Sequence, residues 1–290
     1  MKHFVYTLRA FQYRSDMLKK LFTILIYVFA AIGFFLVAGY FAVQFGLTNE
    51  EGIIDTQRES FLNGLTPSNA VAEEAYIGPW QNSEEWQIME AAIRRDQAVI
   101  ERAAADSGVP ARLIVANLVA EQLRLFFTER EAYKKWFYPL KILGPQSKFS
   151  WGVMGMKEAT AVEVEQNLQN PSSPRYPGPD FERALDFKTT DIAAERYTRM
   201  IDQYDHYWSY LYAGLYLKQI TVEWERAGFP ITERPEILST LYNIGFKYSV
   251  PKADPQVGGA GLMIAGTQYS FGGLAADFYN SDLLTDIFPR

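Results

Sequence analysis

The sequence predicts an all-α globular domain standing behind a single N-terminal membrane-spanning helix. Three observations predict it. Residues 21–47, LFTILIYVFAAIGFFLVAGYFAVQFGL, run for 27 positions without a charged side chain. Beyond residue 82, apolar residues recur at helical spacing, and no alternating run of useful length marks a strand. The composition, 48% hydrophobic and 21% charged, supports a full core and excludes a disordered chain.

Each element follows from local signals. A helix needs roughly 20 apolar residues to cross the hydrocarbon core, and a signal-peptide core is about 7–15 residues. Residues 21–46 are therefore expected to span the membrane rather than to be removed. Lys2, Arg9, Arg14, Lys19 and Lys20 precede the span against one acid, Asp16, whereas Glu50, Glu51 and Asp55 follow it. Basic flanks stay cytoplasmic. Residues 1–20 thus form a cytoplasmic tail, and everything past the span lies outside the cytoplasmic membrane.

Residues 47–82 read as a stalk, with Gly52, Gly64, Pro67, Gly78 and Pro79 among short polar runs. The folded domain is expected over 83–290. Ser83 reads as an N-cap, the Trp86, Met89, Ile93, Ile100 series as one helix, and Gly108 as its stop. Pro110 opens a second helix reaching about Phe127. The segment 170–180, NPSSPRYPGPD, is a loop. Helix resumes near Asp191, with Ala193, Tyr197, Met200, Ile201 and Tyr204 on one face. The stretch 207–227 is apolar almost all round and is expected to be a central buried helix. Pro235 opens a short helix ending near Gly245. The remainder reads as glycine-rich loop, with a last helix around 271–285.

Composition also narrows the chemistry. A net charge of −6 argues against a nucleic-acid partner, which requires a basic face. The absence of cysteine excludes disulfides, thiolate metal sites and a cysteine nucleophile. Only His3 and His206 are present, too few for a histidine-rich metal site. Neither a metal nor a cofactor is expected. The glycines at 258–261 lack the preceding strand and the following Lys-Ser/Thr of a phosphate loop.

The most informative helix is PARLIVANLVAEQLRLFF, 110–127. With Ile114 at zero, Leu118, Leu125 and Glu121 fall at about 40°, 20° and −20° around the axis. Glu121 is thus in the middle of the apolar stripe, facing the interior or a cleft. Burial raises a carboxyl pKa, and an acid still protonated near neutrality can act as general acid. A structural glutamate satisfied by Arg124 or Asn117 fits the same pattern.

Two later segments bear on that choice. Residues 150–161 read SWGVMGMKEATA and residues 238–246 read LSTLYNIGF. Glu121-Gln122 on an apolar helix, then Gly-Val-Met-Gly, then Glu-Ala-Thr-Ala, then Tyr-Asn-Ile-Gly resembles the lytic transglycosylases of the soluble-lysozyme-like superfamily. The GVPARLIVA lead-in and DIAAERYTRMIDQY, 191–204, resemble that family too, so the likeness covers roughly 95–250. The chain departs from the pattern at Gln122, where the family has serine, and at Gly155, where it has glutamine. Glu121 and Gly152 are 31 positions apart, and the extra length holds REAYKKWFYPLK, 130–141.

The resemblance implies a lysozyme-like fold and cleavage of the β-1,4 bond between N-acetylmuramic acid and N-acetylglucosamine in peptidoglycan. It implies Glu121 as acid and then base, with formation of a 1,6-anhydro product. Gln122, Gly152 and Met154 would line the sugar site, Tyr242 would point its phenol at Glu121 or an N-acetyl group, and Asn243 would fix its own motif's backbone. The aromatic run Tyr204, Tyr207, Trp208, Tyr210, Tyr212 and Tyr216 is expected to be mostly core, and His206 an ordinary surface or helix-start residue. Two other readings stay open: a hydrolytic muramidase, and a non-catalytic wall-binding or scaffold domain, which the departures at Gln122 and Gly155 favour. Peptidoglycan is the expected partner, reached from an anchor at 21–46.

Overall fold

The computed structural model describes residues 79–127 and 150–290, except 203 and 265, together with nine positions between 20 and 34. The chain divides into two units, Met1–Asn49 and Glu50–Arg290. In the first unit the nine described positions are all helical. Among them Phe22, Leu25, Tyr27, Phe29 and Phe34 are exposed. The rest of the expected tail and span, most of the stalk and the segment 130–141 lie outside the described residues. Among the described residues no helix is long and apolar enough to cross a membrane.

The described part of the second unit is mostly helical, in line with the expected all-α class. Its helices are α1 Glu84–Arg95, α2 Gln97–Ser107, α3 Ala111–Phe127, α4 Glu158–Leu168, α5 Ile192–Met200, α6 Tyr207–Arg226, α7 Pro235–Ile244 and α8 Phe271–Asn280. Several boundaries are set by the expected signals. Ser83 Oγ accepts from the Trp86 N–H at 3.2 Å, and Asp191 caps α5 through the Ala194 N–H. Gly108 ends α2 at φ 65°, a left-handed turn that favours glycine.

The single helix expected from Ser83 to Gly108 is instead broken at Asp96, between α1 and α2. Aspartate competes with helical backbone, and here its carboxylate is held from α6. His206 Nδ1 lies 2.5 Å from Asp96 Oδ2, and the Tyr210 hydroxyl donates to the same oxygen at 2.8 Å. His206 is therefore a buried partner at the start of α6, not a surface residue.

Helix α6 forms the centre, as its apolar run predicted. Tyr210, Leu211, Tyr212, Ala213, Leu215 and Leu217 are fully buried on it. It approaches α2 closely at Gly214, where a Cβ would meet Ser107 Oγ at 2.3 Å. Of the expected aromatic run, Tyr207, Tyr210, Tyr212 and Tyr216 are core, Trp208 is half-buried and Tyr204 is 89% exposed.

Helix α5 buries only part of the face expected: Met200 is buried and Ile201 half-buried, but Ala193 is exposed. Tyr197 is exposed too, and Arg196 and Arg199 are buried. Arg196 makes a two-pronged pair with Glu165 at 2.6 and 2.7 Å. The Arg199 guanidinium lies 4.0 Å from the Trp208 ring centroid and 4.6 Å from that of Phe187. Long arginine stems and stacked guanidiniums here fill the space that apolar side chains were expected to fill.

Three further corrections concern the ends and the strands. Trp80 is fully buried, donates to Asp277 at 2.8 Å and packs edge-on against Trp86. The packed domain therefore begins by Trp80, ahead of the boundary expected at 83. The last helix stops at Asn280 rather than 285. Two short antiparallel hairpins also occur. Strand β1, Ser150–Trp151, pairs with β2, Met156–Lys157, with Trp151 opposite Met156. Strand β3, Gly261–Ile264, pairs with β4, Thr267–Ser270, within the segment read as loop.

The C-terminal segment belongs to this core. Arg112, on the first turn of α3, is buried and donates to five carbonyls: Phe278, Tyr279, Ser281, Leu283 and Phe288, at 2.7–3.1 Å. Three of them sit at the end of α8, where helical carbonyls lack intrahelical partners. Burial pulls the Arg112 guanidinium below its usual pKa. Among the described residues no carboxylate pairs with it.

Candidate functional site

The site is built on α3. Ile114 through Ala120 are fully buried there, and the helix carries Glu121 into the interior at 3% exposure. Glu121 thus faces the interior as expected, but the helix is buried on every side here and not along one stripe alone. The carboxylate is met by Arg124, whose Nη2 lies 2.6 Å from Oε1 and whose Nε lies 3.3 Å from Oε2. Asn117 does not reach it, because its amide donates back to the Leu113 carbonyl at 2.9 Å.

The β1–β2 turn closes over this carboxylate. Gly152 and Gly155 both adopt positive φ, 69° and 59°, and the Gly155 N–H bonds the Gly152 carbonyl at 3.1 Å. A Cβ at Gly155 would fall 2.0 Å from Glu121 Oε1. Only glycine leaves room for the carboxylate in this position, and the φ is one that glycine adopts freely.

Three helices fasten the turn. From α3, the Gln122 amide donates to the Val153 carbonyl at 2.5 Å. From α6, Ser209 Oγ accepts from the Met154 N–H at 3.3 Å. From α7, the Tyr242 hydroxyl donates to the Met154 carbonyl at 2.8 Å. All three side chains are buried. Gln122, Gly152, Met154 and Tyr242 are therefore brought together around Glu121.

Their roles differ in part from those expected. The Tyr242 phenol is spent on turn backbone rather than aimed at Glu121. Burial pushes its pKa well up, with the nearby Glu121 charge adding to the effect. Asn243 serves another segment: its Oδ1 accepts from the Ala260 N–H at 2.7 Å. It holds the loop leading into β3 instead of its own motif. That loop needs glycine at 259, φ 91°, where a Cβ would press on Asn243 Oδ1 at 2.9 Å.

Two residues join the site that sequence reasoning did not single out. Ser209 sits on α6, 55 positions from Met154, and no period or motif marks it. Lys157 is half-buried on β2, two residues past Gly155. Burial lowers its pKa first, Arg124 lowers it further, and Glu121 opposes them. The only sequence signal for Lys157 was its nearness to the turn.

This arrangement pairs one buried carboxylate with Arg124, with Lys157 close enough to sense both charges, under a turn fastened from three helices. Such a carboxylate can exchange a proton with a group presented beside it, and Gln122, Ser209 and Tyr242 fix the backbone it leans on. Among the described residues, no group of three or more His, Asp or Glu side chains could hold a metal ion. A separate cavity of about 470 Å³ opens between α4, α5 and the 185–187 segment, lined in part by Val162, Glu165, Phe187, Ile192 and Arg196. It contains none of the site residues.

Tyr242→Phe deletes one buried hydrogen bond and leaves the Met154 carbonyl short of a donor. The expected result is a folded protein less stable by about 1–3 kcal/mol, measured by thermal melting. Unchanged stability would show that the turn is held without this hydroxyl.

Comparison with family models, with characterised proteins and with solved structures returns no match, so the residues themselves carry the functional argument.

Proposed function

We propose that this chain is a membrane-anchored murein lytic transglycosylase with a lysozyme-like domain on the extracytoplasmic side. The observation that carries the reading is convergence. Segments at 121–122, 152–155 and 242, whose order resembles that family, meet around one buried carboxylate. The uncharged run at 21–47 and its basic flank supply the anchor. An anchored domain outside the cytoplasmic membrane has peptidoglycan within reach.

In this mechanism Glu121, protonated, gives its proton to the glycosidic oxygen as the bond from C1 of N-acetylmuramic acid breaks. The resulting carboxylate takes the proton of the same sugar's C6 hydroxyl as O6 bonds to C1. The products are a free 4-hydroxyl on N-acetylglucosamine and a 1,6-anhydro ring, and Glu121 is again an acid. One carboxyl group suffices, unlike the paired carboxylates of most glycosidases.

A second reading has its own support. Glu121 is ion-paired with Arg124, and its space under the turn exists because Gly155 lacks a side chain. A glutamate held in that way suits a wall-binding or scaffold domain without turnover. Mass analysis of the fragments released from peptidoglycan by the purified full chain separates the readings. Anhydro-ended muropeptides are the expected products. Reducing-end fragments, heavier by one water, would indicate a hydrolytic muramidase, and intact glycan would indicate the scaffold.

A further inference from the structure

The Glu121–Arg124 pair and the bare Gly155 form one arrangement. Both side chains of the pair are only 5% exposed, and the guanidinium engages both carboxylate oxygens. Gly155 admits the carboxylate to a position that any Cβ would fill. The arginine therefore determines which way the glutamate lies, and the glycine makes that position available.

We propose that Arg124 is a positioning residue for Glu121: it draws the carboxylate under Gly155 and sets the pH above which the acid form is lost. This rests on the reading of Glu121 as acid and base. The proposed reaction uses both protonation states in turn. A guanidinium in contact favours the carboxylate. It makes the acid form a readier donor to the glycosidic oxygen and the carboxylate a weaker base toward the C6 hydroxyl, and it depletes the acid form as pH rises, so the working range is displaced toward acid.

The other titratable groups facing Glu121 among the described residues are Lys157 from β2 and Tyr242 from α7. Lys157 acts in the same direction as Arg124 from a half-buried position. Tyr242 stays neutral across the useful range, since burial raises its phenol. Its contribution does not vary with pH.

The test uses the full chain in detergent, carrying glutamate labelled with ¹³C at the carboxyl, with Glu121→Gln identifying the Glu121 resonance. In Arg124→Gln the titration midpoint of Glu121 is expected to rise by about 1–3 pH units, the usual effect of a contacting opposite charge. The alkaline limb of muropeptide release should move up with it. Lys157→Gln should move both by less. Arg124→Lys keeps the charge without the fork and should restore most of the wild-type midpoint, which covers the case in which Arg124→Gln fails to fold. An unmoved midpoint in Arg124→Gln, or in Arg124→Lys an upward shift as large as the one expected for Arg124→Gln, overturns the proposal. If release persists with an unmoved midpoint, the transglycosylase reading survives and the role of Arg124 does not. If the midpoint moves but wild type releases nothing at any pH, the catalytic reading fails and the pairing alone stands.

Discussion

Replacing Arg112 with methionine should lower the melting temperature of the full chain by roughly 10–15 °C. The guanidinium feeds five carbonyls between Phe278 and Phe288, and its side chain is 1% exposed. Methionine fills comparable volume but donates nothing. The carbonyls of Tyr279, Leu283 and Phe288 would then lose the donor that Arg112 gives them, while those of Phe278 and Ser281 keep bonds from Ser281 and Arg290. Leaving buried acceptors unsatisfied costs about 1–3 kcal/mol each, and partial relaxation of the tail brings the total to about 3–5 kcal/mol, a size reached by few single substitutions. Such a loss is a large part of the about 5–15 kcal/mol that holds an ordinary domain. Lysine should rescue little, since one ammonium cannot reach five acceptors spread over eleven residues. Hydrogen exchange should quicken first in residues 278–288. A melting temperature within 3 °C of wild type would mean that the C-terminal segment is held mainly by its apolar contacts, Phe278 and Phe288 among them.

Much of this architecture was legible because its signals were local. Helix α6 could be placed from a run apolar on every side. Ser83, Gly108, Asp191 and Pro235 marked ends by their own capping chemistry. Glu121 was legible as a polar residue in an apolar stripe, and its pairing with Arg124 as a neighbour at i+3. What could not be read depends on partners far along the chain. Asp96 breaks a helix while holding His206 and Tyr210 from α6. Helix α5 buries arginines beside Met200 because Glu165, Phe187 and Trp208 are there to receive them, and its own periodicity marked only the apolar part of that face. Hairpins of two or four residues per strand are too short to show an alternation. Ser209 and Lys157 reach the site only through tertiary packing. Asn243 was legible as a motif residue, but its partner Ala260 lies in a loop 17 positions away.

Glu121→Gln is expected to abolish wall cleavage in a protein that still folds. The amide preserves the shape of the carboxylate and can still accept a hydrogen bond from Arg124, but it has no proton to give the glycosidic oxygen. Loss of general acid–base assistance alone lowers a rate by about 10²–10⁴-fold, enough to bring release to background. Stability moves as well. The variant removes the charge of the carboxylate that pairs with the buried Arg124 guanidinium, at a cost of about 1–3 kcal/mol for a weakened charge-assisted bond. A drop in melting temperature therefore does not separate a catalytic glutamate from a structural one, because both lose the same ion pair. Activity per folded molecule does separate them, measured well below the melting transition. The double variant Glu121→Gln, Arg124→Gln sharpens the test, since it replaces the ion pair with a neutral amide pair and should recover part of the lost stability. A structural glutamate predicts that activity returns with stability. A catalytic one predicts a sturdier protein that remains inactive. Wild-type release from folded Glu121→Gln would remove Glu121 from the chemistry and leave the transglycosylase proposal without its acid.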